Sequence, residues 1–221
     1  RSKYLGEDES WNTAENALEE AARQNDLPYK RREGEAAFYG PKLDFMFKDA
    51  IGREWQLATI QCDFNLPERF DLSFINENNE KERPVVIHRA ISGSLERFMG
   101  IMIEHYAGAF PVWLAPIQTI VLPVSEKQLA YAQEITDQLI ASGIRAELDQ
   151  SNETLGKKIR NAKMQKPPYI LVIGAKEEET KSITVEKREG DLGSPKQSGG
   201  SEQMSAEEFS AKLKKEIVER S

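Results

Sequence analysis

The stretch Ile87-His88-Arg89-Ala90-Ile91-Ser92-Gly93-Ser94-Leu95-Glu96-Arg97-Phe98 decides how the first half of this chain folds. Its apolar start predicts a strand, its Gly-Ser pair predicts a turn, and residues 94–106 have the apolar spacing of a helix. The turn would expose backbone N–H groups at the helix N-terminus, a common site for an anion. Arg97 adds a permanent planar cation to the first helical turn. The segment therefore contains parts suited to a nucleotide-binding site.

The residues before this stretch predict a helix followed by an antiparallel sheet. The predicted elements are a helix over residues 9–24 and strands over residues 43–48, 53–64 and 84–91. Strands followed by a helix indicate an α+β domain. Because residues 108–116 are rich in proline and separate two periodic regions, we expect a domain boundary there, giving a first domain over residues 1–116.

A different order of elements is predicted for residues 117–221, the second domain. Strands are expected over residues 117–123, 144–148, 169–173 and 182–188, and helices over residues 125–142, 154–165 and from 205 onward. The pairs Ser125 with Gln128 and Ser205 with Glu208 have capping-box spacing, and Gly143 is suited to end a helix. We expect a charged turn before the fourth strand and a polar loop over residues 194–203. This β-α-β-α-β order predicts a small α/β domain whose mixed sheet is mainly parallel.

The composition sets broad limits on the function. The chain has 221 residues and a net charge of −7, which argues against a simple basic coat for nucleic acid. No apolar run is long enough for a membrane helix, so no membrane partner is expected. The single cysteine, Cys62, fits a reducing cytoplasm. Because the chain begins without Met or a signal sequence, we expect it to be part of a longer protein.

Three groups of residues in the first domain offer chemistry, and each has a plainer alternative. His88 is either a metal or substrate ligand or a hydrogen-bonded core histidine in a buried strand. Arg97 either binds phosphate or pairs with a glutamate of its own helix. In the second predicted strand, Thr59, Gln61 and Asp63 share one face, which either binds a ligand or faces water. Strict alternation places Gln56 on the other face, so Gln56 could join them only through a bulge.

The second domain carries one concentrated group of cations. Five of them fall within ten residues and no acid lies among them: Lys157, Lys158, Arg160, Lys163 and Lys166. The group is either a solvated helix face or a contact for a phosphate backbone. No P-loop, dinucleotide fingerprint or Ser-His-Asp order is present in the sequence. With only two histidines and one cysteine, the chain also has few of the residues that usually form a complete zinc site.

Taken together, these motifs resemble the threonyl-tRNA synthetase family of the bacterial type. The resemblance covers the chain essentially from end to end. The matching segments are Phe38-Tyr39-Gly40-Pro41-Lys42, Trp55-Gln56 through Gln61 and Asp63, His88-Arg89-Ala90, Gly93-Ser94-Leu95-Glu96-Arg97-Phe98, Trp113-Leu114-Ala115-Pro116 and Gly143-Ile144-Arg145. The resemblance implies that residues 1–116 are the end of a class II catalytic domain and residues 117–221 an anticodon-binding domain.

The resemblance also implies roles for individual residues. Arg97 and Gln61 are the implied catalytic residues. The implied ATP contacts, with Mg²⁺ accompanying ATP, are Gln56, Thr59, Gln61, Gly93, Ser94 and Arg97. Tyr39, Gln61 and His88 are implied for threonine, with His88 as one of three protein ligands of Zn²⁺. That ion binds the threonine amino and hydroxyl groups and so rejects valine. The implied tRNA contacts are Asn152, Lys157, Arg160, Lys166 and Glu177, whereas Glu186 stands where relatives often carry a basic run.

Several parts of a complete class II enzyme lie outside these residues. The first and second class II motifs, a Cys and a His that complete the zinc site, and an editing domain are not in this sequence. We therefore expect this chain alone to be inactive, and the full enzyme to be a homodimer that uses ATP, threonine and tRNA(Thr). Two alternatives stay open: a non-catalytic tRNA-binding module, and another class II synthetase with the same anticodon domain.

Overall fold

The computed structural model describes residues 4–188 and 200–220. The chain divides into two compact units, residues 1–101 and 102–221, and the division falls within a helix. The predicted domain limits, residues 1–116 and 117–221, stay a prediction.

The first unit contains a three-stranded antiparallel sheet. Its elements are α1 (Asp8–Gln24), β1 (Lys42–Lys48), β2 (Glu54–Asp63), α2 (Asn65–Arg69), β3 (Phe74–Ile75), β4 (Lys81–Glu82), β5 (Val86–Ala90) and the start of α3 (Leu95–Tyr106). The strand order is β1-β2-β5, and both pairings are antiparallel. The predicted α+β arrangement is therefore confirmed. The short helix α2 and the β3–β4 hairpin were not predicted, because neither is long enough to show a period.

The second unit contains a five-stranded mixed sheet. After the end of α3, its elements are β6 (Thr119–Pro123), α4 (Leu129–Ala141), β7 (Ala146–Leu148), α5 (Leu155–Gln165), β8 (Tyr169–Ile173), α6 (Ala175–Thr180), β9 (Ile183–Lys187), β10 (Ser201–Met204) and α7 (Ala206–Glu219). The order is β10-β9-β8-β6-β7. Because β9 pairs antiparallel with both neighbours, it alone among the described strands of this sheet runs against the others. The mixed, mainly parallel sheet is confirmed.

Helices cover both faces of this second sheet. One face packs against α4 and α7 in the larger core, which includes Val121, Leu171, Val185 and Phe209. The other face packs against α5 through a smaller cluster of Ile120, Leu122, Ile170 and Ala162. The alternation of β6 explains this, since Ile120 and Leu122 point to one face and Val121 to the other. The helix α5 is thus fixed on its own side of the sheet.

Three local predictions in the second unit were wrong. The hydroxyl of Ser125 does not cap a helix; it donates to the Gln128 side chain at 2.7 Å, and a 3-10 turn over Glu126–Gln128 precedes α4. The expected charged turn is the helix α6, capped by a Glu177 carboxylate that accepts from the Gly174 N–H. The expected polar loop over residues 194–203 ends in β10, and its residues 194–199 lie outside the described part. The capping box of Ser205 and Glu208 is confirmed.

Candidate active-site face and RNA-binding helix

A bulge in β2 brings Gln56 onto the same face as Thr59. Phe45 pairs with Ala58 and the next residue, Met46, pairs with Gln56, so Leu57 is left without a partner in β1. The extra residue reverses the alternation, as bulges do. The Gln56 Nε2 then lies 3.0 Å from the Thr59 hydroxyl. The bulge that the sequence required for this arrangement is present.

A cavity of about 340 Å³ opens on this face of the sheet. It is lined by Lys42, Gln56, Thr59, Gln61, His88 and Ala90. Four of these were singled out in the sequence, on β2 and β5. A fifth predicted residue, Tyr39, donates its hydroxyl to Gln61 Oε1 at 3.2 Å. The structure therefore brings together Tyr39 and the predicted residues of both strands.

Asp44 organises the polar side chains beside this cavity, a role that its sequence context did not predict. Its Oδ1 accepts from Gln56 Nε2 at 2.7 Å and from the Thr59 hydroxyl at 2.8 Å. Its Oδ2 pairs with the Lys42 ammonium. Because an ionised carboxylate only accepts hydrogen bonds, Asp44 holds the Gln56 NH₂ group and the Thr59 hydroxyl toward itself. The alternation of Lys42 and Asp44 in β1 was the available signal.

Close backbone contact at Gly40 fixes the turn that carries Tyr39. A Cβ at Gly40 would lie only 2.0 Å from the Cys62 carbonyl oxygen, so no larger residue fits. Backbone hydrogen bonds from Cys62 to Pro41 at 3.0 Å and from Phe64 to Tyr39 at 3.1 Å close the same contact. Cys62 itself is a buried free thiol, and burial raises its pKa. It is a structural residue, and the tight turn explains why Tyr39 reaches Gln61.

His88 is paired with a buried carboxylate at the edge of the first sheet. Its Nε2 lies 2.8 Å from Asp63 Oδ2, and Asp63 is only 3% exposed. Asp63 Oδ1 accepts from the backbone N–H groups of Asn65 and Leu66. Burial alone would raise the pKa of Asp63, but the hydrogen bonds to His88 and these N–H groups outweigh it, so that pKa is lowered. The carboxylate is thus fixed and charged.

The expectation that His88 lies in a buried strand was wrong. The side chain of His88 is 44% exposed, and Ile87 is also largely exposed. The cause is that β5 is an edge strand, paired only with β2 among the described strands. The apolar residues of β5 indicated burial, but no other described residues cover this side of the strand. The core-histidine alternative is therefore contradicted.

The contact between His88 and Asp63 fits a metal-ligating histidine. Such histidines usually direct one ring nitrogen to a carboxylate, which leaves the other nitrogen for the metal. With Nε2 held by Asp63, Nδ1 is the nitrogen that remains. Within residues 4–188 and 200–220, no three His, Cys, Asp or Glu side chains are grouped so as to hold a metal. His88 can therefore contribute one ligand but cannot close a site by itself.

The Gly-Ser turn that precedes α3 is anchored on the bulge of β2. Gly93 has φ +65°, and a Cβ there would lie 2.6 Å from the Leu57 carbonyl oxygen. Arg97 donates from Nη1 to the Gln56 carbonyl at 3.1 Å. The Ser94 hydroxyl accepts from the Arg97 N–H at 3.2 Å and donates to Glu96, and the latter bond lowers the pKa of Glu96. The close approach of Gly93 to Leu57 and the hydrogen bond from Arg97 to Gln56 therefore hold the turn and the start of α3 beside the bulge.

The five cations around α5 do not form one surface. Lys158 is only 4% exposed and donates to the Pro123 carbonyl at 3.2 Å. Lys157 pairs with Glu153 at 2.7 Å, Lys163 pairs with Glu186, and Lys166 donates to the Ala107 carbonyl at 2.6 Å. Arg160 is exposed, and its side chain has no hydrogen bond or ion pair within the described ranges. The predicted single patch is corrected to four exposed cations, of which three have a partner.

The two remaining predicted tRNA contacts lie on either side of α5 in the chain. Asn152 is exposed in the loop before α5. Glu177 lies in α6, where its carboxylate accepts from the Gly174 N–H and the Thr184 hydroxyl, both at 2.9 Å. Burial alone would raise the pKa of Glu177, but these hydrogen bonds outweigh it and lower that pKa. No hydrogen bond joins Glu177 to the α5 cations in the part of the chain that the structure describes.

Two family models match the two parts of the chain. The tRNA synthetase class II core domain (G, H, P, S and T) matches residues 6–106, and the anticodon binding domain matches residues 118–216. These matches agree with the antiparallel sheet and the mixed sheet described above. The fold and the site thus define the class of protein as a class II aminoacyl-tRNA synthetase.

Comparison with individual proteins identifies one family within this class. The chain is 56% identical over 190 residues to a threonine–tRNA ligase of Carboxydothermus hydrogenoformans, covering 86% of this chain and 30% of that protein. It is 46% identical over 218 residues to the ligase of Deinococcus radiodurans, covering 99% of this chain and 32% of that protein. The chain belongs to the threonyl-tRNA synthetase family. It spans about a third of the length of the curated relatives it matches.

Solved structures give the same family. The RNA binding domain of the threonyl-tRNA synthetase of Cryptosporidium parvum matches with a TM-score of 0.85 and 40% identity, over 96% of this chain and 52% of that one. A putative threonyl-tRNA synthetase of Aeropyrum pernix matches with a TM-score of 0.71 and 33% identity, over 98% and 51%. Among the described residues, no helix has the length and apolar character needed to cross a membrane.

Proposed function

We propose that this chain supplies one wall of the active site and the anticodon-binding domain of a threonine–tRNA ligase. The complete enzyme would activate threonine with ATP and transfer it to tRNA(Thr). One observation carries the proposal: Gln56, Thr59, Gln61 and His88, from two strands, line one cavity. The relatives named threonine–tRNA ligase support it. The domain limits at residue 116, the homodimer and the cytoplasmic location belong to the same proposal.

ATP would bind along the bulge of β2 and the turn before α3. Gln56 and Thr59 line the cavity, and Arg97 is held against the Gln56 carbonyl, so its guanidinium would contact ATP beside them. Gly93, Ser94 and Gln61 complete the proposed contacts, with Mg²⁺ accompanying the phosphates. Adenylate formation develops charge at a phosphoryl centre, and fixed cations and hydrogen-bond donors stabilise such charge without reorganising. Arg97 and Gln61 are therefore the proposed catalytic residues.

Threonine would bind at the Tyr39, Gln61 and His88 end of the cavity. The Tyr39 hydroxyl and the Gln61 amide are already joined, and His88 lies beside them with its ring held by Asp63. Zn²⁺, held by His88 with ligands from outside the described residues, would bind the threonine hydroxyl and amino groups. A site built to bind a hydroxyl rejects an isosteric methyl strongly, because the unpaired polar partner is costly.

The tRNA would bind through the second unit. The anticodon binding domain match covers residues 118–216, which include every proposed contact: Asn152, Lys157, Arg160, Lys166 and Glu177. Arg160 is exposed, and we give it the largest share of the contact to the RNA backbone. Lys166 has its ammonium on the Ala107 carbonyl and Glu177 has its carboxylate inside the domain. Lys166 and Glu177 would either order the backbone that contacts the RNA or leave their present partners and bind the RNA themselves.

The ligand role of His88 has a direct test in the complete ligase. We expect His88→Ala to lose bound zinc and threonine-dependent exchange of pyrophosphate into ATP, by at least about a hundredfold. Metal analysis and the exchange assay are the measurements. His105→Ala is the matched control, because His105 lies in α3 and packs edge-to-face on Tyr106. Unchanged zinc in the His88 variant would refute the assignment.

A tRNA-binding module without catalysis is the second candidate function. It is favoured by one observation, that the Cryptosporidium parvum match at a TM-score of 0.85 is described as an RNA binding domain. The coding sequence upstream of Arg1 separates the two candidates. A Cys, a His and an arginine-bearing second class II motif there would support the ligase, whereas a natural start near Arg1 would support the module.

A further inference from the structure

We propose that Lys163 is an additional RNA contact of α5, and that Glu186 limits this contact by pairing with the Lys163 ammonium. The inference rests on the proposed tRNA-binding function and adds a residue to it. The ion pair is direct, from Lys163 Nζ to Glu186 Oε1, and it joins the helix to strand β9. The side chain of Lys163 is 56% exposed and that of Glu186 is 30% exposed, so RNA could reach both.

The position of Lys163 on α5 supports this assignment. The side of α5 that contains Lys158 and Ala162 is buried against the sheet. Residues three apart on a helix are neighbours, so Lys163 adjoins Arg160, and both residues are exposed. A phosphate backbone that contacts Arg160 would therefore lie within reach of Lys163. Its ammonium is a flexible point charge on a long stem, which suits contact with a phosphate.

The sheet register places Glu186 on the same side as α5. Glu186 pairs with Ile170 in β8, and Ile170 packs against α5 in the smaller apolar cluster. Directly opposite residues of paired strands point to the same face, so the Glu186 carboxylate lies beneath the exposed edge of α5. An acid at this position repels phosphate and also neutralises the nearest lysine. RNA must then compete with Glu186 for the Lys163 ammonium.

The chain offers a matched control for this ion pair. Glu202 in β10 pairs with Lys212 of α7 at 2.8 Å. Glu202 is opposite Val185, whose side chain belongs to the larger core, so this second ion pair lies on the other face of the same sheet. Glu186→Gln and Glu202→Gln remove the same charge, and each frees one lysine. Only the first lysine adjoins Arg160.

The test measures binding of a synthetic RNA hairpin with the tRNA(Thr) anticodon stem-loop sequence to the 221-residue chain. Fluorescence anisotropy over a range of salt gives the dissociation constant and its salt dependence. We expect Glu186→Gln to bind about threefold more tightly, because RNA then no longer competes with an exposed ion pair for the Lys163 ammonium. The slope of log K against log salt should steepen by about 0.7, the value for one more contact to single-stranded RNA. Glu202→Gln should leave both quantities unchanged.

The double variant Lys163→Met/Glu186→Gln identifies the cation responsible. If the gain acts through Lys163, Glu186→Gln should produce none in the Lys163→Met background. An equal gain in both backgrounds, an equal gain in Glu202→Gln, or no gain in Glu186→Gln would each overturn the inference. A gain in affinity cannot come from unfolding. If the unaltered chain does not bind the hairpin, the proposed tRNA function fails as well, and that outcome is distinct from binding that Glu186→Gln leaves unchanged.

Discussion

The two units differ in where they place their apolar side chains. Within the described ranges, only four of the 24 buried apolar residues lie in the first unit: Trp11, Ala22, Leu57 and Cys62. That unit instead contains 16 of the 21 large apolar residues that are exposed. The second unit encloses a core on each face of its sheet, whereas the first is ordered by polar contacts and tight glycine turns. Among the described residues, the first unit therefore encloses far less apolar surface than the second.

The largest expected effect is the loss of stability when a large side chain of the core is replaced by alanine. Phe209 is fully buried and packs edge-to-face on Tyr169, so Phe209→Ala should destabilise the second unit by about 3–5 kcal/mol. Ile87 is 57% exposed, so Ile87→Ala should change the stability of the first unit by no more than about 0.5 kcal/mol. Hydrogen exchange resolved by peptide would measure each unit separately. Equal losses would show that the first unit has a core as closed as the second.

A smaller effect is expected at two glycines with the same left-handed backbone. Gly93 in the first unit has φ +65° and Gly143 in the second has φ +84°. Gly143→Ala should cost about 1 kcal/mol of stability, all of it from the left-handed backbone, because nothing lies within 4 Å of the added Cβ. Gly93→Ala should cost about 1–3 kcal/mol more, since its Cβ would overlap the Leu57 carbonyl. Urea unfolding, with hydrogen exchange to locate the loss, is the measurement; equal costs would mean that the contact with Leu57 is not tight.

The smallest expected effect is on the response to acid. Hydrogen bonds lower the pKa of Asp63 in the first unit and of Glu177 in the second. A folded pKa below the unfolded one stabilises the protein above the unfolded value and loses this contribution as pH falls through the folded value. Both units should therefore weaken below about pH 4, each by about 1 kcal/mol.

The Asp63→Asn variant separates the two contributions. In Asp63→Asn, the acid-dependent loss in hydrogen exchange should disappear from the first unit and persist around Glu177 in the second. Glu77→Gln, between β3 and β4, removes one exposed carboxylate of the same unit and serves as the control. If acid sensitivity in the first unit is the same in Asp63→Asn, the charged pair with His88 does not contribute to folding.

The sequence predicted the elements that show a period and missed those that do not. The five long helices and the main strands were expected because their apolar spacing repeats over several residues. Helix α6 has only six residues, five of them polar or charged, so its sequence indicated a turn. The spacing of Ser125 and Gln128 suited a cap, but the Ser125 hydroxyl bonds the Gln128 side chain instead of the backbone. Two residues cannot show which of these partners is chosen.

The candidate site was predictable only where local spacing decides it. Thr59 and Gln61 follow from alternation, whereas Gln56 depends on a bulge whose position is set by the partner strand. The exposure of His88 depends on which strands flank β5, and its own sequence carries no such information. Lys158 appeared to belong to the cationic face, but the packing of α5 against the sheet buries it. In each case a non-local contact decides the outcome.

The burial of Cys62 beneath the Gly40 turn has a practical consequence. Its pKa is raised, and little of its side chain is exposed, so reagents that require an accessible thiolate will modify it slowly at neutral pH. Since it is the only cysteine in the sequence, one cysteine introduced at an exposed position such as Gln150 or Glu202 would react almost alone. A single dye or spin label can therefore be attached at an introduced cysteine without first replacing Cys62.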